Sequence, residues 1–394
     1  MPAYAPARYA DFHVLHPVGA SLLNRGQDDL PKTMEYGGVV RPMVSSQAWK
    51  RPVRLQLEEV LDEHAARTRK VPLRVADRLQ ADGWPEPLAA FAGAQIARSA
   101  TREGLKTEED QNGITSATLY LPRDVLDDFT ALCTEHRPQL EEALAAAHTA
   151  EQAKPKARKT KPDAVLPTRT VTALLRRRTA TINLFGRMLA EISGAHVDGA
   201  VQMAHAFTVH QGASQPDYFA AVDDWSAHDE AGSAHLQTAF FTSGLFYRFA
   251  TVNLTELTRN LNGDHKQALH LLALFAEAFT DVMPGAKKTS TAPHTYPHLI
   301  HYAIRDRRSV SYAGAFEKPV RPAHGGGYTA PAVHALSEHA GQLNRMIGTR
   351  RLIGSGYTTL QSEPIDHLGT THTSLDDLID ALAETAALPS ATTV

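Results

Sequence analysis

The stretch Val44-Ser45-Ser46-Gln47-Ala48-Trp49-Lys50-Arg51 concentrates the side chains best suited to holding an anion. It follows the pair Gly37-Gly38, read as a hinge, and a strand-like run from Val39 to Val44, so it reads as a strand feeding the start of a helix. Free backbone N–H groups at a helix start attract anions, and serine hydroxyls add donors. Lys50, Arg51 and Arg54 then set positive charge within one to two turns of that start. Serine, glutamine and paired cations suit a phosphate backbone better than one compact substrate. An ordinary N-cap followed by a solvated basic face would show the same residue types. Pro52 weakens or kinks the helix near its first turns.

Other chemistries find less support. His294, His298 and His301 have ligand-like spacing, but Pro297 breaks the helix that would align them and no acid sits among them. His13 and His16 fall on opposite faces of a strand, and His205 and His210 share that parity problem. There is no phosphate-binding loop, dinucleotide-binding glycine pattern or nucleophile elbow. The single cysteine, Cys133, excludes an internal disulfide and a cysteine-based zinc site. No cofactor is implied.

A chain of 394 residues with 43% hydrophobic and 21% charged content has room for two domains, or for one large domain with insertions. Its net charge of −3 places any nucleic-acid site in a local patch on a near-neutral body. No apolar run approaches the roughly 18 residues of a membrane span, and no apolar signal-peptide-like region follows Arg8 at the start, so a cytoplasmic, membrane-free protein is expected. Tyr9 to Val18 and Val39 to Val44 read as strands, separated by a polar loop, Asn24 to Pro31. Val53 to Leu144 has helical spacing, with one strand-like stretch at Ile114 to Leu121. From Lys154 to Arg178 nine basic residues face one acid, Asp163, as in a linker or an electrostatic arm. Thr179 to Phe185 and Val201 to His210 read as strands, and Asp223 to Phe246 as a projecting hairpin. Leu245 to Leu254 alternates as a strand, Gln267 to Val282 is an amphipathic helix, Ile300 to Tyr312 is extended, and Asp376 to Ala387 is a last helix. This order predicts an α/β (α+β) ferredoxin-like sheet split by a helical insertion.

Several short motifs recur in one order: Asn24-Arg25, Gly37-Gly38, Ser45-Ser46-Gln47 with Lys50-Arg51, Gly186-Arg187-Met188, Val197-Asp198-Gly199-Ala200, Ala204-His205-Ala206, Phe219, Val222-Asp223-Asp224, Ser243-Gly244, Pro284-Gly285-Ala286-Lys287 and Ala315-Phe316-Glu317-Lys318. Together, from about Phe12 to Val320, they resemble the CasC-type backbone subunit of the type I-E CRISPR Cascade complex, in the Cas-seven family of RAMP proteins. The resemblance implies an RRM-like palm (1–51, 162–222 and 245–394), a helical finger module (52–161) and a thumb hairpin (223–244). The paired sheet aromatics of the common RRM signature are absent, which favours tracking of the backbone over base stacking.

It further implies a non-catalytic scaffold that lines up head-to-tail along a guide RNA (crRNA) and presents it to a target DNA strand in antiviral defence. Its partners are further copies of itself, other Cascade subunits and, indirectly, a recruited nuclease-helicase. Arg25, Lys32, Lys50, Arg51 and Arg54 would contact guide phosphates, with Ser45 and Gln47 donating hydrogen bonds to the backbone. Met188 and Phe219 would wedge against bases near each displaced nucleotide, and Lys287 and Lys288 would add charge. Residue 220 is alanine where a small polar residue is expected. Related type III subunits cleave RNA with a loop aspartate, so the alternative is a metal-dependent ribonuclease using Asp28 or Asp29.

Overall fold

A computed structural model describes residues 8–108, 114–153, 163–221 and 235–387. The chain forms two compact units, Met1–Leu57 with Val201–Val394, and Glu58–Ala200. The first unit opens with β1 (Arg8–Ser21), β2 (Thr33–Tyr36) and β3 (Val39–Val44), and α1 (Ser46–Leu61) carries the chain into the second. The second unit holds β4 (Ala65–Thr68), α2 (Val71–Ala81), α3 (Glu86–Arg98), β5 (Thr107–Glu108), β6 (Ile114–Thr115) and β7 (Leu119–Pro122). It continues through α4 (Val125–Glu135), α5 (Arg137–Ala153), α6 (Thr168–Leu175) and α7 (Ala180–Phe185). The chain returns to the first unit as β8 (Val201–Met203), β9 (Ala206–Thr208), β10 (Gln215–Ala221), β11 (His235–Asn253), α8 (Leu254–Asn260), α9 (His265–Asp281) and α10 (Lys288–Thr291). It closes with β12 (Leu299–Asp306), α11 (Thr329–Ile347), β13 (Leu352–Thr359), β14 (Thr370–Thr371) and α12 (Leu375–Ala387).

The first unit is built on one sheet ordered β14-β13-β12-β1-β11-β9-β3-β2, with β8 and β10 also paired to β11. Its centre, β12-β1-β11 followed by β8 and β9, is antiparallel throughout. With α1 and α9 as the connecting helices, that is the ferredoxin-like order expected from the sequence. β1 is buried on both faces, and strand alternation sorts its side chains between them. Phe12 meets Phe275 of α9 edge-on at 5.8 Å, and His16 faces Trp49 of α1 at 6.2 Å. On the opposite face, His13 stacks on Tyr312 at 3.9 Å, above the core formed with Phe316 and Leu336. The opposite-face reading of His13 and His16 therefore holds.

Gly37-Gly38 is not a hinge. Tyr36 pairs with Val39, and both glycines have positive φ, 63° and 73°. This is the two-residue primed turn that matches strand twist, and it sets the register of β2 on β3.

The second unit has its own core, with Val75, Leu79, Ile96, Phe129, Cys133, Val171 and Leu175 at its centre. Burial pushes the Cys133 thiol up to about 12, so it stays protonated and packs as a small apolar group. Three expectations change here. Thr179–Phe185 is a helix, not a strand: the Thr179 hydroxyl accepts from Ile182 N at 3.3 Å, and Gly186, at φ 79°, ends it. Every residue of α7 is buried, so neither period shows in so short an apolar run. The strand-like stretch at Ile114 to Leu121 is two short strands, each with its own partner, β5 with β6 and β4 with β7. Residues beyond 161 stay in this unit as far as Ala200, because Leu166, Val171, Leu175, Leu189 and Ile192 join its core. Of the basic stretch Lys154 to Arg178, residues 154–162 lie outside the described residues.

Candidate nucleic-acid interface

Helical geometry decides which of the basic residues act together. Trp49, Val53 and Leu57 occupy one side of α1 and are 2%, 0% and 1% exposed. At 100° per residue, Gln47, Lys50, Arg51 and Arg54 fall within an arc of about 100° beside it. Gln47 and Arg51 are exposed, while Lys50 and Arg54 are half-buried. Pro52 sits inside the helix without ending it.

The start of α1 is more occupied than the sequence suggests. Asn24 Oδ1 accepts from Ser45 N at 2.9 Å, and His205 Nδ1 accepts from Ser46 N at 2.8 Å. Ser45 is buried, and its hydroxyl accepts from Ala48 N at 3.4 Å. Three of the N–H groups expected to await an anion are therefore held by protein, and the positive charge here comes from side chains. Asn24 and His205 lie 21 and 159 residues from their partners, so no local pattern announces them. Accepting at Nδ1 leaves the His205 ring proton on Nε2, a donor on an exposed residue.

Asn24 also ties the preceding loop to α1. Lys32 N donates to Asn24 O at 3.0 Å, and Gly26 N donates to Leu30 O at 2.8 Å. Arg25 and Lys32 thereby flank the helix start. Arg25 pairs with Asp29 at 2.9 Å, both groups largely exposed, an interaction worth at most about 1 kcal/mol and easily exchanged for a phosphate. Asp29 adopts the left-handed conformation at φ 59°, and Asp28 Oδ1 accepts from Leu30 N at 3.2 Å. Both loop carboxylates thus shape the turn. No group of three metal-ligating side chains occurs among the described residues.

The remaining candidates lie elsewhere. Lys287 and Lys288 are exposed, and Lys287 turns left-handed at φ 52° to open the four-residue α10. Phe219 is 41% exposed on β10, opposite Gln237 of β11. β10 and β11 form the stem of a hairpin whose tip, 222–234, lies outside the described residues. In the second unit Met188 is 85% exposed on the rim of an open trough of about 690 Å³, with Arg67, Tyr120, His196 and Asp198 around it. Its neighbour Arg187 is 3% exposed and donates to the carbonyls of Ala195, Tyr120, Arg177 and Arg176. Burial lowers that guanidinium to about 10, still charged near neutrality. Four carbonyls around one arginine hold the loop in place and leave the methionine outside.

An antiparallel ferredoxin-like sheet, a helical insertion and a basic helix face define an RRM-like palm of the repeat-associated class. The chain belongs to the family of CT1975-like proteins, whose model matches residues 10–383. Two solved structures are similar over nearly all of it. A chain of "CRISPR RNA-guided surveillance complex, pre-nicking" shares 36% identity at a TM-score of 0.86, covering 96% of this chain and 100% of that one. A chain of "CRISPR RNA-guided surveillance complex" shares 33% identity at a TM-score of 0.77, covering 95% and 99%. No curated protein matches the chain. No helix among the described residues is long and apolar enough to cross a membrane.

Proposed function

We propose that this chain is a non-catalytic, CasC-type backbone subunit of a CRISPR RNA-guided surveillance complex. It binds guide RNA together with other subunits of the complex. The observation that carries the reading is the end-to-end similarity to chains of two such complexes. The basic arc on α1 supplies the matching chemistry. Gln47, Lys50, Arg51 and Arg54, flanked by Arg25 and Lys32, follow a phosphate backbone without reading bases, as a subunit that accepts any guide must. Ser45 contributes by setting the helix start. Exposed Met188 and Phe219 act as soft, sequence-tolerant wedges against bases, and Lys287 and Lys288 add charge to the path.

Copies stack head-to-tail along the guide, which generates a filament that other subunits must end. The guide pairs with target DNA and so carries sequence recognition, while a separate nuclease-helicase does the cutting. Asp28 and Asp29 then serve as turn formers. A cytoplasmic location follows from this role.

The test is Lys50→Ala with Arg51→Ala. Affinity for guide RNA falls equally across guide sequences, and the slope of log K against log salt becomes shallower by about 1.4, two single-strand contacts' worth. The thermal midpoint stays near that of the parent protein, because neither side chain belongs to the buried face. Unchanged affinity and slope would overturn the phosphate-clamp assignment.

A further inference from the structure

A second cationic surface lies at the other end of the same sheet. β12 ends at Asp306 and is followed by Arg307 and Arg308; Arg350 and Arg351 immediately precede β13. Because Arg305 pairs with Leu352, the sheet brings these two segments side by side. Arg305 also donates to Asn344 Oδ1 at 3.0 Å, pinning the last turn of α11 there and adding Arg345. All five arginines are exposed. Among the described residues none of them forms an ion pair, although the chain holds 43 acidic residues against 40 Lys and Arg. Such segregation in a near-neutral chain marks a surface that meets an anion.

Position separates it from the guide contacts. Arg8, the first residue of β1, pairs with Asp306, whereas Ser21, the last, leads into the loop carrying Arg25 and Lys32. Fourteen residues of strand put roughly 40 Å between the two ends, and Val44, which leads into α1, lies level with Val14 and four strands from β12, roughly 30 Å from the arginines. That is several Debye lengths, so the arginines neither strengthen nor share the guide phosphates at α1. We infer that Arg307, Arg308, Arg345, Arg350 and Arg351 form a second phosphodiester-binding surface, for a stretch of DNA other than the strand paired with the guide at α1. All five cations are arginine, whose planar fork meets a phosphate with two donors at once. Of the polyanions the proposed role brings to this protein, the guide is already accounted for, and DNA remains. The inference rests on that role only for the identity of the strand.

The test replaces Arg307, Arg308, Arg350 and Arg351 with alanine in the chain assembled with its guide RNA and partner subunits. Binding of matched duplex DNA is measured across salt concentrations, with guide occupancy and complex mass read on the same sample. The expected result is normal occupancy and mass, DNA affinity at physiological salt down at least about tenfold, and a salt slope shallower by about 3. The fourfold Arg→Lys variant restores most of that slope. Normal assembly with an unchanged DNA slope overturns the inference. So does loss of assembly with intact guide affinity of the single chain, which would make this a contact between protein copies. If these arginines prove necessary for guide binding while Lys50→Ala with Arg51→Ala is harmless, the guide path itself is misplaced, and the failure belongs to the α1 assignment.

Discussion

At the scale of single residues, burial is matched by contacts that no local pattern predicts. Arg248 of β11 is 1% exposed, bonded to His16 Nδ1 at 2.9 Å and to the Phe279 carbonyl, with its guanidinium 3.9 Å from the Trp49 ring centre. Burial lowers Arg248 to about 9. Burial, then the charge of Arg248, holds His16 at about 3. On the opposite face His301 is likewise held at about 3 by burial, and His13 lies well below its ordinary value for the same reason. These histidines stay neutral in the folded chain and protonate near 6.5 once unfolded, so acid favours the unfolded state. Stability is therefore present above about pH 6.5 and is lost as pH falls below it, at about 1.4 kcal/mol per pH unit for each such group. Between pH 7.5 and pH 5, His16 and His301 together remove about 4 kcal/mol. Asp11, raised by a burial that outweighs its 3.3 Å pairing with Arg305, acts in the opposite sense in the window above 3.8. Urea denaturation at both pH values checks the prediction, and equal midpoints would contradict it.

At the scale of elements, the same residue type carries different weights. A Cβ on Gly37 would stand 1.7 Å from the Glu317 carbonyl oxygen, whereas one on Gly38 meets nothing within 4 Å. Gly38→Ala should cost about 1–2 kcal/mol for its positive φ alone. Gly37→Ala must also displace the Glu317 backbone and disturb Arg41, whose guanidinium binds the carbonyls of Phe316 and Glu317. Its loss should exceed about 3 kcal/mol in urea unfolding, and two equal values would refute the packing argument. The glycine pair stood out in the sequence but reads there as a hinge, and the turn it makes appears only with the pairing of β2 on β3; which glycine is irreplaceable was not legible either, because Glu317 arrives from 280 residues away in the chain. Elements with one clear period, such as α9 and the second half of β11, were legible for the opposite reason: their signal is local. α7 was read as a strand because so short and evenly apolar a run carries no period; α11, with Val333, Leu336 and Ala340 at helical spacing over nineteen residues, carried a signal that went unread, as did β13.

At the scale of the whole molecule, β11 serves two structures. Its C-terminal half lies between β1 and the pair β8 and β9, and its N-terminal half pairs with β10 as the hairpin stem. Replacing residues 216–240 with a two-residue turn should leave a folded chain that binds guide RNA without regular spacing. Nuclease footprinting of the bound RNA reads the outcome, and evenly spaced accessible nucleotides in that variant would refute the thumb role. The class of fold, the helical insertion, the basic arc of α1 and, through ordered motifs, the family were all legible in the linear chain. Those rest on local periodicity, on residue type and on short stretches in a set order, all of which survive in one dimension. Folding alone reveals that Asn24 and His205 hold the start of α1, that the Arg187 side chain is buried beside an exposed Met188, and that five arginines from three separate segments meet at one end of the sheet. Each of these is a meeting of residues far apart in the chain, made by strand register and burial, which a linear pattern does not encode.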